Sequence, residues 1–337
     1  MNTNLDRREF LRQSFAFSAL AALGSKMLLA QPPDPAAQHF LMVGDWGWAR
    51  PEDGQKQVAA GMTAYARRNA LHTQALFMLG DSWYGNLDGG VDSPRWQTGF
   101  EQMYPASVFP GPVYSIMGNH DYQHMPLDVS KVEAELAYAK RGHSRWTQPA
   151  LWYTLDISAK DSNEPLLHII ALDSNVPKKD KLDPVDFTLT PAQYNEQLAW
   201  FEAELAKPTK APFRIVMGHH PVFSNGKHGD TPTLVRDWEP LLRQNKVHAY
   251  LAGHDHDLQH LEYEGHPTSF VCSGAGGADL YDLKIDEKKR GPFADKVFGF
   301  THLEATPTQL TFRHIDSAGK VLHAFTKSTD YKVSLLS

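Results

Sequence analysis

Seven side chains of metal-binding type, Asp45, Asp81, Tyr84, Asn119, His219, His254 and His256, each follow closely on a short, largely apolar run. The runs are residues 39–43, 75–79, 113–117, 213–217 and 247–252. They end in Gly44-Asp45, Gly80-Asp81, Gly118-Asn119-His120-Asp121, Gly218-His219 and Gly253-His254-Asp255-His256. Apolar runs of this length bounded by turn signals predict buried strands. In open α/β sheets, ligands bind just past the carboxyl ends of strands. Two carboxylates, a phenol, a carboxamide and several imidazoles are donors suited to a pair of hard-to-borderline cations. Taken singly, a Gly-Asp at a strand end is usually a turn or a helix cap. Capping does not call for His, Asn and Tyr at the same topological place five times over, so the joint pattern predicts a metal pair.

The elements that must position these residues alternate. A helix over 55–69 places Val58, Met62, Tyr65 and Ala66 on one face. Thr190-Pro191-Ala192-Gln193 starts another with an N-cap Thr, Pro at the first helical position and Gln at the third. A third begins near Thr231-Pro232 and buries Leu234, Val235, Trp238, Leu241 and Leu242. Strands alternating with helices argue for an α/β layer fold. Residues 151–157 and 166–172 are further strand candidates. The C-terminal part, with strands over 269–272, 297–303, 309–315 and 320–325, predicts a second sheet packed on the first within one domain. Gly/Asp-rich 85–92 and charged 282–291 read as surface loops.

At the strand-end positions the chain resembles the calcineurin-like metallophosphoesterases, whose pattern is Asp-x-His, Gly-Asp, Gly-Asn-His-Asp/Glu, a later His and Gly-His-x-His. Here Gly47 stands where the general family has its first-motif His (Asp45-Trp46-Gly47), and the second motif continues to Tyr84 (Gly80-Asp81-Ser82-Trp83-Tyr84). Loss of that His with gain of a Tyr is the pattern of the purple acid phosphatases. The strings Gly218-His219-His220-Pro221-Val222-Phe223 and Gly253-His254-Asp255-His256 are similar to the small, tartrate-resistant, mammalian-like members. The resemblance implies an α/β fold, a four-layer αββα sandwich of two mixed β-sheets flanked by helices. It also implies one metal held by Asp45, Asp81, Tyr84 and His256, and a second by Asp81, Asn119, His219 and His254, with Asp81 bridging.

Ferric iron beside Fe(II), Zn or Mn, with a bridging hydroxide, is the cofactor that the resemblance implies. A Tyr, which ordinarily ionises near about pH 10, needs so strong a Lewis acid to bind as phenolate. Two carboxylates, a phenolate and a hydroxide leave such a centre near about +1, attractive to a phosphate ester. Family chemistry is in-line attack of the metal-bound hydroxide on phosphorus. His120 matches the family's catalytic histidine and His228 a second substrate-facing one, either of which protonates the leaving group. Asp121 is expected to orient His120 or its loop, and His220 to point away from the metals. Trp46, Trp48, Trp83 and Phe223 fit either a core beneath the site or an aromatic wall for the leaving group.

The chain's 337 residues carry a net charge of −6, which excludes a broad nucleic-acid-binding surface. The single cysteine, Cys272, excludes an intramolecular disulfide and reads as a buried strand residue. Residues 1–30 have the plan of an export signal: Arg7-Arg8-Glu9-Phe10-Leu11-Arg12, an apolar stretch from Ser14 to Ala30, then Pro32-Pro33. The arginine pair resembles the twin-arginine signal with Asp6 and Arg12 at the usual Ser/Thr and Lys positions. The expectation is a bacterial periplasmic or secreted protein, handled by the twin-arginine export machinery and left without a membrane span after cleavage. Its mature part, residues 31–337, is expected to be one domain acting on small phosphorylated substrates and binding inorganic phosphate. Two other readings stay open: a phosphodiesterase of the same fold acting on nucleotides or lipid headgroups, and a metal- or phosphate-binding protein without turnover.

Overall fold

The computed structural model describes residues 32–48, 54–177, 188–284 and 290–336; the leader expected over 1–30 and part of the charged loop at 282–291 lie outside them. Two mixed sheets face each other. The first contains β1 (Gln38–Val43), β2 (Thr73–Met78), β3 (Val113–Ser115) and β4 (Trp146–Thr147), all parallel. It is extended on the far side of β1 by antiparallel β12 (Gly299–Ala305), β13 (Gln309–Asp316), β14 (Val321–Ser328) and β15 (Val333–Leu336), giving eight strands. The second has seven, in the order β11 (Phe293–Asp295), β9 (Leu258–Leu261), β10 (Ser269–Ser273), β8 (Ala249–Ala252), β7 (Phe213–Met217), β6 (Pro165–Ala171) and β5 (Tyr153–Ser158). Strands β6, β7, β8 and β10 run parallel. The expectation that the C-terminal strands make the second sheet holds for β10 and is corrected for the strands expected after it. Strand β12 pairs with β1, Phe40 opposite Leu303, and draws β13 to β15 into the first sheet, while the middle of the chain builds the second.

Side-chain alternation explains the layers. Along β1, Phe40 and Met42 point into an inter-sheet core with Phe77, Ile169, Ile215, Leu251 and Phe312. Leu41 and Val43 point outward onto α1 (Gly54–Arg68), whose Val58, Met62 and Tyr65 cover them. On the outer face of the second sheet, Phe201 and Leu205 of α3 (Pro191–Ala206) cover Ile170 and Val216. Helix α2 (Lys131–Ala139) lies with the aromatic cluster on the outer side of the first sheet. The result is the expected αββα sandwich.

Helix ends follow sequence chemistry. Thr190 forms the full capping box with Gln193. The single helix expected after Thr231 is instead two short ones, α4 (Pro232–Asp237) and α5 (Glu239–Gln244). Pro240 has no N–H to donate to Arg236, and its ring obstructs that carbonyl, so the chain must restart. Of the four aromatic residues left open above, Trp46 and Trp83 are fully buried core and Phe223 packs among Tyr263 and Phe270. Only Trp48 is part-exposed, its ring centroid 4.8 Å from that of Tyr84 with the planes 73° apart.

Candidate metal centre

The carboxyl ends of β1, β2, β3, β7 and β8 converge where the two sheets meet. Asp45 and Asp81, both in the left-handed region at φ 57° and 52°, turn the chain sharply at the ends of β1 and β2. His254 does the same at φ 68°. Left-handed backbone at a non-glycine residue is strained, and such strain concentrates at functional sites. Backbone contacts fix the cluster across the sheets. His254 N donates to Asp45 Oδ2 at 2.8 Å, and His120 N to Asp81 Oδ1 at 2.7 Å.

The side chains meet in two groups sharing Asp81. In the first, the Tyr84 hydroxyl lies 3.1 Å from Asp45 Oδ1, 3.0 Å from Asp81 Oδ2 and 3.1 Å from His256 Nε2. In the second, His219 Nε2 lies 3.4 Å from Asp81 Oδ2 and 3.2 Å from Asn119 Oδ1, which in turn is 2.9 Å from His254 Nδ1. Asp45, Asp81 and His219 present ligand atoms within 4.8 Å of one another, all buried. All seven sequence-derived ligand candidates are thus brought together.

Whether these residues fit cations can be judged at Tyr84. His256 Nδ1 donates to the Asp279 carbonyl at 2.5 Å, so in the neutral ring Nε2 carries a lone pair. Tyr84 then has one proton for three acceptors, and a buried convergence of that kind is stabilised by a positive charge. The same holds at His219, whose Nδ1 faces the Leu79 carbonyl at 2.8 Å and whose Nε2 turns toward the carboxylates. Burial alone would lower the His219 pKa, but Asp81 and Asp45 outweigh it and push it up to about 10, so a proton answers the field. Burial also favours neutral Asp81, yet His219, by its charge and its hydrogen bond, leads the neighbours that hold it well below the usual carboxylate range. Burial, with Asp81 and Asp45 adding to it, holds Tyr84 well above its ordinary value. Only a strong cation would make it a phenolate. Burial and the flanking histidines keep His254 neutral, the form that ligates. The donor set fits two cations sharing Asp81.

Gly47 permits this arrangement. A Cβ there would sit 1.7 Å from the Ser82 carbonyl oxygen, so a side chain at 47 is incompatible with the loop that carries Tyr84. Tyr84 N donates to Gly47 O at 3.3 Å.

Around the ligands, His120 is held by Gln123, Nδ1 to Oε1 3.1 Å, and its ring lies 4.1 Å from that of Tyr84. His228 is exposed, its ring 4.2 Å from that of His254. Asp121 is fully buried and accepts from the backbone of Gly118 (2.9 Å), Ser82 (3.2 Å) and Trp83 (2.9 Å). It thereby ties the Asp81–Tyr84 loop to the Asn119–His120 loop. Behind it Lys131 Nζ donates to Trp83 O at 2.7 Å. His220 does not join the ligands; Ser174 Oγ lies 2.9 Å from its Nδ1, but its ring is 4.2 Å from that of His254, at the edge of the site. Sequence reasoning passed over Gln123, Ser174 and Tyr281, the last stacked on His256. Gln123 stands two places beyond the Gly118–Asp121 motif and Ser174 two beyond the strand candidate at 166–172, so both were within reach; Tyr281 carries no local signal.

Parallel strands delivering a buried, doubly shared carboxylate–imidazole–phenol cluster define a metallohydrolase of the phosphoesterase class. A family model for calcineurin-like phosphoesterases matches residues 39–258, and the chain belongs to that family. Human tartrate-resistant acid phosphatase type 5 is 30% identical over 329 residues, covering 91% of this chain and 96% of its own. Arabidopsis thaliana purple acid phosphatase 17 is 28% identical over 301 residues, 86% of this chain and 84% of its own. Among solved structures, GAP50, the anchor in the inner membrane complex of Plasmodium, matches with a TM-score of 0.72 at 20% identity, over 86% of this chain and 88% of that one. This last likeness speaks for the fold alone. The chain is a metal-dependent phosphoesterase related to the tartrate-resistant and purple acid phosphatases.

Proposed function

We propose that the protein is an exported acid phosphatase that hydrolyses phosphate monoesters at a binuclear centre. The convergence of three acceptors on the Tyr84 hydroxyl carries this reading. Asp45, Asp81, Tyr84 and His256 would hold Fe(III); Asp81, Asn119, His219 and His254 would hold Fe(II), Zn or Mn. Bound there, the pair supplies Lewis acidity toward the phosphoryl oxygens and a nucleophile at moderate pH. The chain's own part is to orient the ester and move a proton. His120, steadied by Gln123, serves as the acid for the leaving group, and His228, beside His254, contacts the bound ester. Asp121 keeps the two ligand loops in register and touches no substrate. Residues 1–30 are proposed as a twin-arginine leader that delivers residues 31–337, one metallophosphoesterase domain, to the periplasm or beyond. Among the described residues no helix is long and apolar enough to cross a membrane.

Metal analysis, a visible spectrum and turnover together test the reading. The metal-loaded protein is expected to be coloured by tyrosinate-to-iron charge transfer and to cleave phenyl phosphate faster than bis-phenyl phosphate. Tyr84→Phe should abolish the colour. A colourless, active zinc protein would remove the iron assignment and keep the hydrolase. A faster diester rate would replace the monoesterase with a phosphodiesterase. Metal-loaded protein inert to both would leave a binding protein.

A further inference from the structure

The mouth of the centre carries a stack that no strand-end motif announces. The Tyr281 ring, half-buried, lies 4.1 Å from that of His256 with the planes 15° apart. Lys227 Nζ lies 4.1 Å from the centroid of the same ring. An ammonium and an imidazole at that distance cannot share one face, so Lys227 and His256 sandwich the tyrosine. His228, next in sequence, has its ring 5.4 Å from that of Tyr281.

The loop holding Lys227 is fastened to the ligand loop. His228 N donates to Asp255 Oδ1 at 2.9 Å, and Ser224 Oγ donates to the other oxygen of Asp255. Lys284 N donates to Asn225 O at 2.9 Å, which brings the segment after Tyr281 against the same loop. Nearby carboxylates are engaged elsewhere: Asp230 with Arg290 at 2.7 Å and Asp282 with Lys296 at 2.7 Å. Lys227 is exposed and, among the described residues, has no carboxylate partner. A cation at the rim, held beside His228 and one ring away from His256, attracts an anionic group carried on the part of an ester that extends out of the centre.

We propose that Tyr281 holds Lys227 as a specificity element for a second anionic group on the leaving group, so that esters whose alcohol carries a phosphate or carboxylate are favoured over esters of neutral alcohols. The proposal rests on the phosphatase reading above, because it assumes that a phosphate ester occupies the centre.

The test compares para-carboxyphenyl phosphate with phenyl phosphate in kcat/KM, and methylenebisphosphonate with methylphosphonate in calorimetric Kd. The proteins are the metal-loaded wild type, Lys227→Gln, Tyr281→Leu, Tyr281→Phe and the Lys227→Gln/Tyr281→Leu double variant. The wild type is expected to prefer the doubly anionic member of each pair by about fivefold at low salt, with the preference fading as salt rises. Lys227→Gln and Tyr281→Leu should each bring the ratio to about one, Tyr281→Phe should retain it, and the double variant should go no further than either single one. A ratio unchanged in Lys227→Gln, or a loss in Lys227→Gln equal on both members of a pair, overturns the proposal. Failure of the phosphatase reading shows separately, as wild-type inertness to phenyl phosphate; the binding ratios still decide the role of Lys227.

Discussion

His120 is fixed at three points: its backbone N–H on Asp81, its Nδ1 on Gln123 and its ring against Tyr84. Its Nε2 is thereby left for the reacting ester. Removing an acid that acts on the leaving group typically costs about 10²–10⁴ in rate. His120→Ala should therefore lower kcat by about that factor while metal content, measured on the same sample, stays at the wild-type level. Gln123→Ala should cost about tenfold, since the ring stays but loses its steadying contact. A His120→Ala enzyme with wild-type kcat would transfer the acid role to His228. At this scale the sequence was informative about residue types and uninformative about their supports. Asp45, Asp81 and the histidines announce themselves because carboxylates and imidazoles just past apolar runs have few structural uses. Asp121 was legible as a positioning group, but its targets, the N–H groups of Ser82, Trp83 and Gly118, were not. The stack of Tyr281 on His256 depends on how a loop folds back, and no spacing encodes that.

Elements show the same division. Strand bounds came within a few residues because apolar runs end where the chain must turn, yet sheet membership did not follow. Strand β12 pairs with β1 across the length of the chain, and no local pattern specifies that partner. Helix α2 was overlooked although Ser130 caps it by accepting from Glu133 N, a signal that Ser130 and Glu133 carry in the sequence. The loop holding Tyr84 gives a sharper test of how elements position chemistry. It lies so close to Gly47 that an added methyl would overlap the Ser82 carbonyl. Gly47→Ala should push the loop outward, destabilise the fold by about 1–3 kcal/mol and weaken the tyrosine-held metal before the other. Gly142→Ala, where a Cβ would meet nothing within 4 Å, is the control and should be silent. Thermal unfolding and metal stoichiometry read both variants. Equal stoichiometry in Gly47→Ala would mean that the loop tolerates displacement and that Gly47 serves only packing.

Across the whole molecule, histidines outside the centre set how it meets acid. Burial lowers His39 and His248 to about 4 and His323 to about 2, and holds His260, His302 and His314 well below the ordinary imidazole value. Each is neutral in the folded chain but takes a proton in the unfolded one below about pH 6.5. The unfolded state then binds more protons, so stability is full above about pH 6.5 and falls as pH drops toward each folded value. Glu262, raised to about 7 by burial, Asp173, raised to about 6, Asp257, raised to about 8, and Glu135, held well above the usual carboxylate range by burial, run the other way: each is protonated first in the folded state and favours it as pH falls. Because these carboxylates oppose the histidines, the histidine contribution is read one residue at a time. His248 isolates the effect, since its Nδ1 accepts from Arg214 N at 3.1 Å, a contact the Asn carboxamide oxygen reproduces. His248→Asn should cost about 1 kcal/mol at about pH 7.5 through lost ring packing on Phe213 and Tyr331. At about pH 5 the wild type pays about 2 kcal/mol for keeping His248 neutral, which the variant avoids. The two urea stability curves should therefore cross between those pH values. Parallel curves would mean that His248 takes up its proton in the folded state and that acid sensitivity arises elsewhere. For these histidines a phosphatase proposed to work in acid operates on the falling side of their contribution, and cations bound by the folded state alone would raise its stability again by mass action.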